Sequence, residues 1–349
     1  MSMRSAIPLL LPVWLLSVIR PALSESHDSA FYHRKTIRIV VGSSRESLYD
    51  QWGRLLARYM GKYLPGRPNM IVQNLPGASG VVTANYGYTV APPDGLTVMM
   101  FQKHIYLEQL IGRREVRFDV RRFHWIGSPD KGPVMLYIRA DSPYKSIDTI
   151  LKSADPPKCG AIGTSDLTYS MAKVMEIALG GSVGLVVGYG RGSEIDSAME
   201  RGEVVCRITS TAVHFSREPF RRWDKDGFDR HLLVFAKKRD TRLPDVPTIY
   251  ELMEKANTPA LNRQVAEVIL AGNELGRPMV APPGTALELV KLLREAYDKA
   301  LVDPDLLAEV KALNLEVDPT TGAGLHNLVQ RLTTQSPTVI ARLKRLLEH

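Results

Sequence analysis

Two hydrophobic periods alternate along this chain. Short apolar runs at 37–41, 70–72, 96–101, 134–138, 159–163, 183–187, 204–208 and 231–236 read as strands. Between them the spacing turns helical. Residues 48–63 put Leu48, Trp52, Leu55, Leu56, Tyr59 and Met60 on one face, with Ser47-x-x-Asp50 as a capping box at the start and Pro65-Gly66 at the end. Helical patterns also cover 81–90, 143–152, 169–179 and a stretch that Ser193 can cap, ending at Arg201-Gly202. From Pro282 onward the pattern is helical, over 286–301, 303–313 and 325–347. Strands that alternate with helices predict an α/β protein whose sheets are covered on both faces.

The stretch from Met70 to Phe101 is one βαβ unit. An apolar run breaks at Asn74-Leu75-Pro76-Gly77-Ala78-Ser79-Gly80, a helix follows, and Pro92-Pro93-Asp94-Gly95 turns the chain into the next strand. Gly-rich turns that open helices leave backbone N–H groups free at a positive helix end. Three other loops of this chain fit such a role. They are 42–47 after the first strand, 163–168 and 189–193. Carboxylates suit these donors together with Ser and Thr hydroxyls, which nominates Ser43, Ser44 and Arg45 in the first loop, with Asp50 in the helix that follows as a further candidate. The second offers Thr164, Ser165 and Asp166, and the third Tyr189, Arg191, Gly192 and Ser193. Asn74 to Gly80 reads first as support and second as a contact, and Asp50 reads equally as a helix cap.

Charge and composition narrow the function. Lys and Arg number 45 against 37 Asp and Glu, a net charge of +8, but the basic residues are scattered. Nucleic-acid binding would need a clustered stripe and a reading module. The N-terminus carries Arg4, an apolar run at 6–19 and Ala22-Leu23-Ser24, the pattern of a cleaved signal peptide over 1–24, with Pro8, Pro12 and Arg20 leaving a non-cleaved anchor as the alternative. No cysteine follows it as a lipid attachment point, so a free periplasmic protein is expected. Cys159 and Cys206 are the two cysteines. They are either paired in an oxidising compartment or buried as thiols, and neither has metal-ligand spacing. No metal, cofactor or catalytic residue is expected. G-x-S-x-G, H-E-x-x-H, Walker A and a complete G-x-G-x-x-G are all missing, and the eight histidines are scattered, each reading as a surface or packing residue.

The motifs together resemble a family. Asn74-x-Pro76-Gly77-Ala78-x-Gly80 followed by Pro93-Asp94-Gly95-x-Thr97 is similar to the solute-binding proteins of tripartite tricarboxylate transporters, the Bug receptors. The resemblance extends through Ile37 to Val41 with Asp50 and Arg54, and through Tyr189-x-x-Gly192-Ser193. It continues at Leu243-Pro244-Asp245-Val246-Pro247-Thr248, Ala281-Pro282-Pro283-Gly284-Thr285 and Ala300-Leu301-x-Asp303-Pro304. It implies a two-lobed periplasmic-binding-protein (Venus flytrap) fold. One lobe would be 36–132 with 278–349 and the other 133–277, with Gly127, Gly132, Gly272 and Gly276 suited to hinge torsions. It further implies a monomeric receptor that captures a small organic anion by domain closure and hands it to membrane permease subunits, without turnover. A sensory receptor docking on a signalling partner, a hydrolase using Ser165 or Ser193, and a variant with a degenerate cleft are the alternatives. Two departures matter. Gly42-Ser43-Ser44-Arg45-Glu46-Ser47-Leu48-Tyr49 stands where the family has a Pro-Gly-Gly-like run, and a histidine usual in the second lobe is replaced near Ser170. Arg45 offers a bidentate contact to an anion, whereas Glu46 would repel one or favour an amine.

Overall fold

The computed structural model describes residues 31–164 and 166–347. The signal-peptide segment 1–24 and Ser165 lie outside the described residues. Two sheets organise the chain. The first has the order β11-β4-β10-β3-β1-β2 and the second the order β7-β6-β8-β5-β9.

In the first sheet, β1 (Thr36–Val41) lies parallel between β2 (Asn69–Asn74) and β3 (Thr97–Met100). Beyond β3 come β10 (Met279–Ala281), β4 (His124–Ser128) and β11 (Thr320–Thr321), each antiparallel to its neighbour. In the second sheet, β7 (Gly184–Val187), β6 (Lys158–Ala161) and β8 (Cys206–Ser210) run parallel. There β5 (Val134–Arg139) is antiparallel to β8 and to the edge strand β9 (Asp229–Phe235). The chain therefore passes between the sheets twice, after β4 and before β10.

The helix pattern of the sequence is borne out most closely at α1 (Leu48–Tyr63). Its Trp52, Leu55, Leu56 and Met60 are buried against β1 and α12 (Leu287–Leu301). The capping box is half-formed. Ser47 accepts from Asp50 N, but the Asp50 carboxylate accepts from Glu46 N, one residue earlier than a box requires. In the βαβ unit a short 3₁₀ turn (Ala78–Gly80) precedes α2 (Val81–Thr89). A Cβ at Gly80, whose φ is +95°, would lie 2.1 Å from Gln102 Oε1, so this turn needs glycine for space as well as for torsion.

The structure corrects two element expectations. The stretch 325–347 is two helices, α14 (Gly322–Thr333) and α15 (Pro337–Leu347), because Pro337 has no N–H to continue the first. The helix expected over 143–152 is confined to α4 (Ile147–Leu151), whose capping box is Ser146 with Thr149. Helices not anticipated include α3 (Ile105–Ile111), α9 (Ile249–Lys255) and α10 (Ala260–Leu270).

Cys159 and Cys206 form a disulfide between the facing positions of parallel neighbours β6 and β8, with Cα atoms 4.3 Å apart. Among the helices, α10 joins α5 (Leu167–Leu179) to α15, and α15 also packs on α3. Tyr106 of α3 donates its hydroxyl to Val268 O of α10 at 2.5 Å. Buried side chains of both sheets thus share one apolar cluster along this seam, including Phe101, Trp125, Ile138, Met175, Ile269 and Val339.

Candidate functional site

The loop after β1 is fixed from beneath and open above. Asn74 at the end of β2 donates Nδ2 to Ser43 O (3.0 Å) and to Asp50 Oδ1 (2.8 Å). Arg54 grips Asp50 with two bonds of 2.9 and 3.0 Å. Gln102 donates to Gly42 O at 2.8 Å. Burial raises the Asp50 carboxyl, yet the bonds from Arg54, Asn74 and Glu46 N outweigh it and hold the group below the usual carboxylate range. Both Asp50 oxygens are occupied inside the lobe, so the residue anchors the loop rather than presenting a carboxylate to a solute. Asn74 has the supporting role read from the sequence.

Above this anchor, the backbone N–H groups of Ser43, Ser44 and Arg45 donate to no acceptor among the described residues. Ser44 and Arg45 are exposed. The Ser43 and Ser47 hydroxyls lie 2.6 Å apart. Three consecutive free donors beside a helix N-terminus, with a guanidinium on the third, are groups of the kind that suit an anion.

In the second sheet the nominated residues divide. Asp166 is occupied as the cap of α5, accepting from Thr168 N (2.6 Å) and Ile162 N (2.8 Å). Thr164 is exposed beside it. Tyr189, Arg191 and Ser193 do come together, lining a shallow pocket of about 580 Å³ with Glu194, Ser197 and Arg201. All six belong to the loop after β7 and to α6 (Gly192–Arg201), and none comes from the first sheet. Ser193 does not cap α6, contrary to the sequence reading. Instead Glu194 folds back. Its Oε2 accepts from Gly190 N at 2.8 Å and its Oε1 lies 3.4 Å from Arg191 Nε. A carboxylate of the protein itself thus occupies Gly190 N and sits beside the Arg191 guanidinium. Gly192 is closely covered by the Arg207 guanidinium. No histidine bonds the Ser193 hydroxyl among the described residues, where a nucleophilic serine would need a base.

Between the sheets, sequence reasoning missed a buried polar strap. Arg277, just before β10, forms an ion pair with Asp130 in the other crossing and donates Nη2 to Ser210 Oγ at 3.1 Å. Its backbone N–H donates to Ser128 Oγ at 2.8 Å. Lys103 Nζ donates to Gly132 O and to Asn273 Oδ1, the latter at 2.8 Å. Tyr49 donates to Gly276 O at 3.4 Å and accepts from Lys103 N at 3.1 Å. Burial, reinforced by Arg277, brings Lys103 down to about 7, while burial lifts Tyr49 to about 12. Gly276 has φ +60°, and a Cβ there would lie 1.7 Å from Asp130 O. Of the other glycines nominated for hinge torsions, Gly132 lies in the first crossing. Gly127 is a packing glycine under the Tyr297 ring and Gly272 one under the His104 ring.

This strap sets the geometry. Tyr49 and Lys103 follow the carboxyl ends of β1 and β3, and Ser210 is the carboxyl end of β8. Arg277 touches Ser210 and lies 5.6 Å from the Tyr49 ring centroid, so the carboxyl ends of both sets of parallel strands meet at the crossings. In open α/β sheets such strand ends are where solutes bind.

Two helix-flanked sheets joined by paired crossings, with strand ends turned to one junction, make this a two-lobed solute-binding fold of the periplasmic-binding-protein class. The family model of the tripartite tricarboxylate transporter family receptors matches residues 53–344, and the chain belongs to that family. It is a solute-binding receptor, not an enzyme. A relative from Cupriavidus necator, described as a UPF0065 protein in the gbd 5′ region, is 27% identical over 289 residues, 82% of this chain and 80% of the relative. The solved periplasmic binding protein BugD has 20% identity and a TM-score of 0.67, over 90% of this chain and 98% of its own. MatC of Rhodopseudomonas palustris, solved with bound malate, has 20% identity and a TM-score of 0.65, over 90% of this chain and 99% of its own.

Proposed function

We propose that this receptor works in the periplasm, where it captures a small organic carboxylate between two lobes and delivers it to the membrane subunits of a tripartite transporter. The lobes are 36–132 with 278–349, and 133–277. The observation that carries this reading is the open run of N–H groups at Ser43, Ser44 and Arg45 on a loop braced by Asn74 and Asp50. Arg191, Gly192 and Ser193 answer it from the second lobe once Glu194 is displaced, and Thr164 stands in the neighbouring loop. Asp50 and Asp166 position these loops and do not touch the solute.

Closure proceeds about the paired crossings, with the apolar seam of α3, α10 and α15 as the side that stays shut. The solute shifts the equilibrium only by its greater affinity for the closed form. Malate-bound MatC, and a second R. palustris neighbour solved with adipate, support dicarboxylates as the first class to test. Titration calorimetry of malate, adipate and citrate against their uncharged amides tests the reading. At least one acid binds, its amide does not, and Arg45→Ala weakens the acid by about tenfold or more, as loss of a charge-assisted bond of about 1.5–3 kcal/mol requires. Binding that ignores Arg45→Ala, Arg191→Ala and Ser193→Ala would remove the site assignment.

A further inference from the structure

A second cluster lies in the lobe of β5 to β9, apart from the loops above. Asp229 and His231 are two residues apart on the edge strand β9, so their side chains leave the same face. His214 comes from α7 (Thr211–Ser216), the short helix after β8. His214 Nε2 lies 2.9 Å from His231 Nε2 and 3.2 Å from Asp229 Oδ2, and His231 Nε2 lies 3.7 Å from the same oxygen. The ring centroids are 4.8 Å apart while the nitrogens are 2.9 Å apart, so both imidazoles turn Nε2 toward a common point.

We propose that His214, Asp229 and His231 are a binding site for a transition-metal dication of the Zn²⁺ type, with a fourth position open to water.

Three observations carry it. The first is metric. A triangle of sides 2.9, 3.2 and 3.7 Å has a circumscribed radius of about 1.9 Å. An ion about 2.0–2.1 Å from all three atoms therefore fits just off their plane, as Zn–N and Zn–O bonds require. The second is satisfaction. Both Asp229 oxygens are buried without a hydrogen-bond partner, and where His231 donates to His214 no imidazole proton is left for Asp229 Oδ2. A cation takes three lone pairs at once. The third is enclosure. The His214 and Asp229 side chains are 0% and 1% exposed and His231 is 14% exposed, leaving one narrow approach beside His231. Tyr137 and Phe220 each pack 4.7 to 6.0 Å, centroid to centroid, against His214 or one another as an apolar wall.

Burial lowers both imidazoles below the usual histidine value and raises the Asp229 carboxyl to about 7. The charged groups that face the cluster nearly balance. Arg207 and Arg242 face His214, whereas Asp224 faces Asp229 and His231, and Asp240 faces His231. The sequence reading took the eight histidines as surface or packing residues. The Asp229-x-His231 spacing on a strand was the available signal, and His214 reaches the pair only through the fold.

The test uses untagged protein, stripped with a chelator and dialysed. Calorimetry with ZnCl₂ finds one equivalent bound. Co²⁺ gives the intense visible bands of a four-coordinate ion, which Zn²⁺ displaces. Saturating Zn²⁺ raises the melting temperature by several degrees and Mg²⁺ does not. His231→Gln and Asp229→Asn abolish the Co²⁺ bands and the Zn²⁺ shift. Asp229→Asn removes a buried charge, so its metal-free form melts no lower than the parent, which separates lost ligation from lost folding. Substoichiometric Zn²⁺, six-coordinate Co²⁺ spectra, or binding that survives both variants would overturn the proposal in favour of a purely hydrogen-bonded triad.

Discussion

Arg277 and Asp130 form an ion pair between the two segments by which the chain passes from one sheet to the other, and their side chains are only 5% and 6% exposed. Ser210, at the tip of β8, accepts a second bond from the same guanidinium. One arginine therefore ties both crossings to the strand end of the second lobe, and the relation of the lobes depends on its being matched.

Removing one partner leaves a buried charge alone. Asp130→Ala is expected to cost about 3–5 kcal/mol, measured by urea unfolding, whereas Asp130→Ala combined with Arg277→Met costs less than the single change. Equal or additive losses would show that the pair is not energetically coupled.

Lys103 gives the strap a pH dependence of defined sign. Its folded pKa is about 7 against 10.5 for the free side chain. Below pH 7 both folded and unfolded chains hold the proton, and the burial penalty is fully present. Between about 7 and 10.5 the unfolded chain binds a proton that the folded one does not, so Lys103 adds stability as pH rises. Chemical denaturation across that window shows this rise in the parent and a smaller one in Lys103→Met. A fall attributable to Lys103 would mean that Gly132 O and Asn273 hold it charged.

The disulfide closes a loop spanning a sequence separation of 47 between adjacent strands. On the chain-entropy account it stabilises the second lobe by about 4 kcal/mol. Cys159→Ser with Cys206→Ser is expected to lower the unfolding midpoint accordingly. An unchanged midpoint would mean that the pair contributes packing alone.

Glu194 competes for the donors of Gly190 and Arg191. Glu194→Gln keeps the side chain's length and removes its charge. The variant should bind a carboxylate more tightly than the parent, with the gain lost as salt is raised. Weaker binding would instead make Glu194 part of the solute's own recognition.

The first lobe was the more legible in the sequence. Residues 48–63 carry an amphipathic stripe between a cap and Pro65-Gly66, and local signals of that strength survive tertiary packing. The helix over 325–347 was misread because apolar spacing continues through Thr334-Gln335-Ser336-Pro337, and only the proline's missing N–H breaks it. The three loops nominated for binding are loops in the structure, but the bonds within them were not legible. Asp50 and Asp166 look like ligands in one dimension and are consumed by bonds to their own loops in three. Arg277, Asp130 and Lys103 are 27 to 174 residues apart in the sequence and meet only because both crossings are laid side by side, so no local spacing announces them.

Small-angle scattering of the oxidised protein, with and without a saturating dicarboxylate drawn from the calorimetric set, tests closure most directly. The radius of gyration contracts in the parent when the acid is added. At the same concentration it does not contract in Arg45→Ala. A carboxylate that binds the parent tightly and leaves the radius unchanged would contradict capture between two moving lobes.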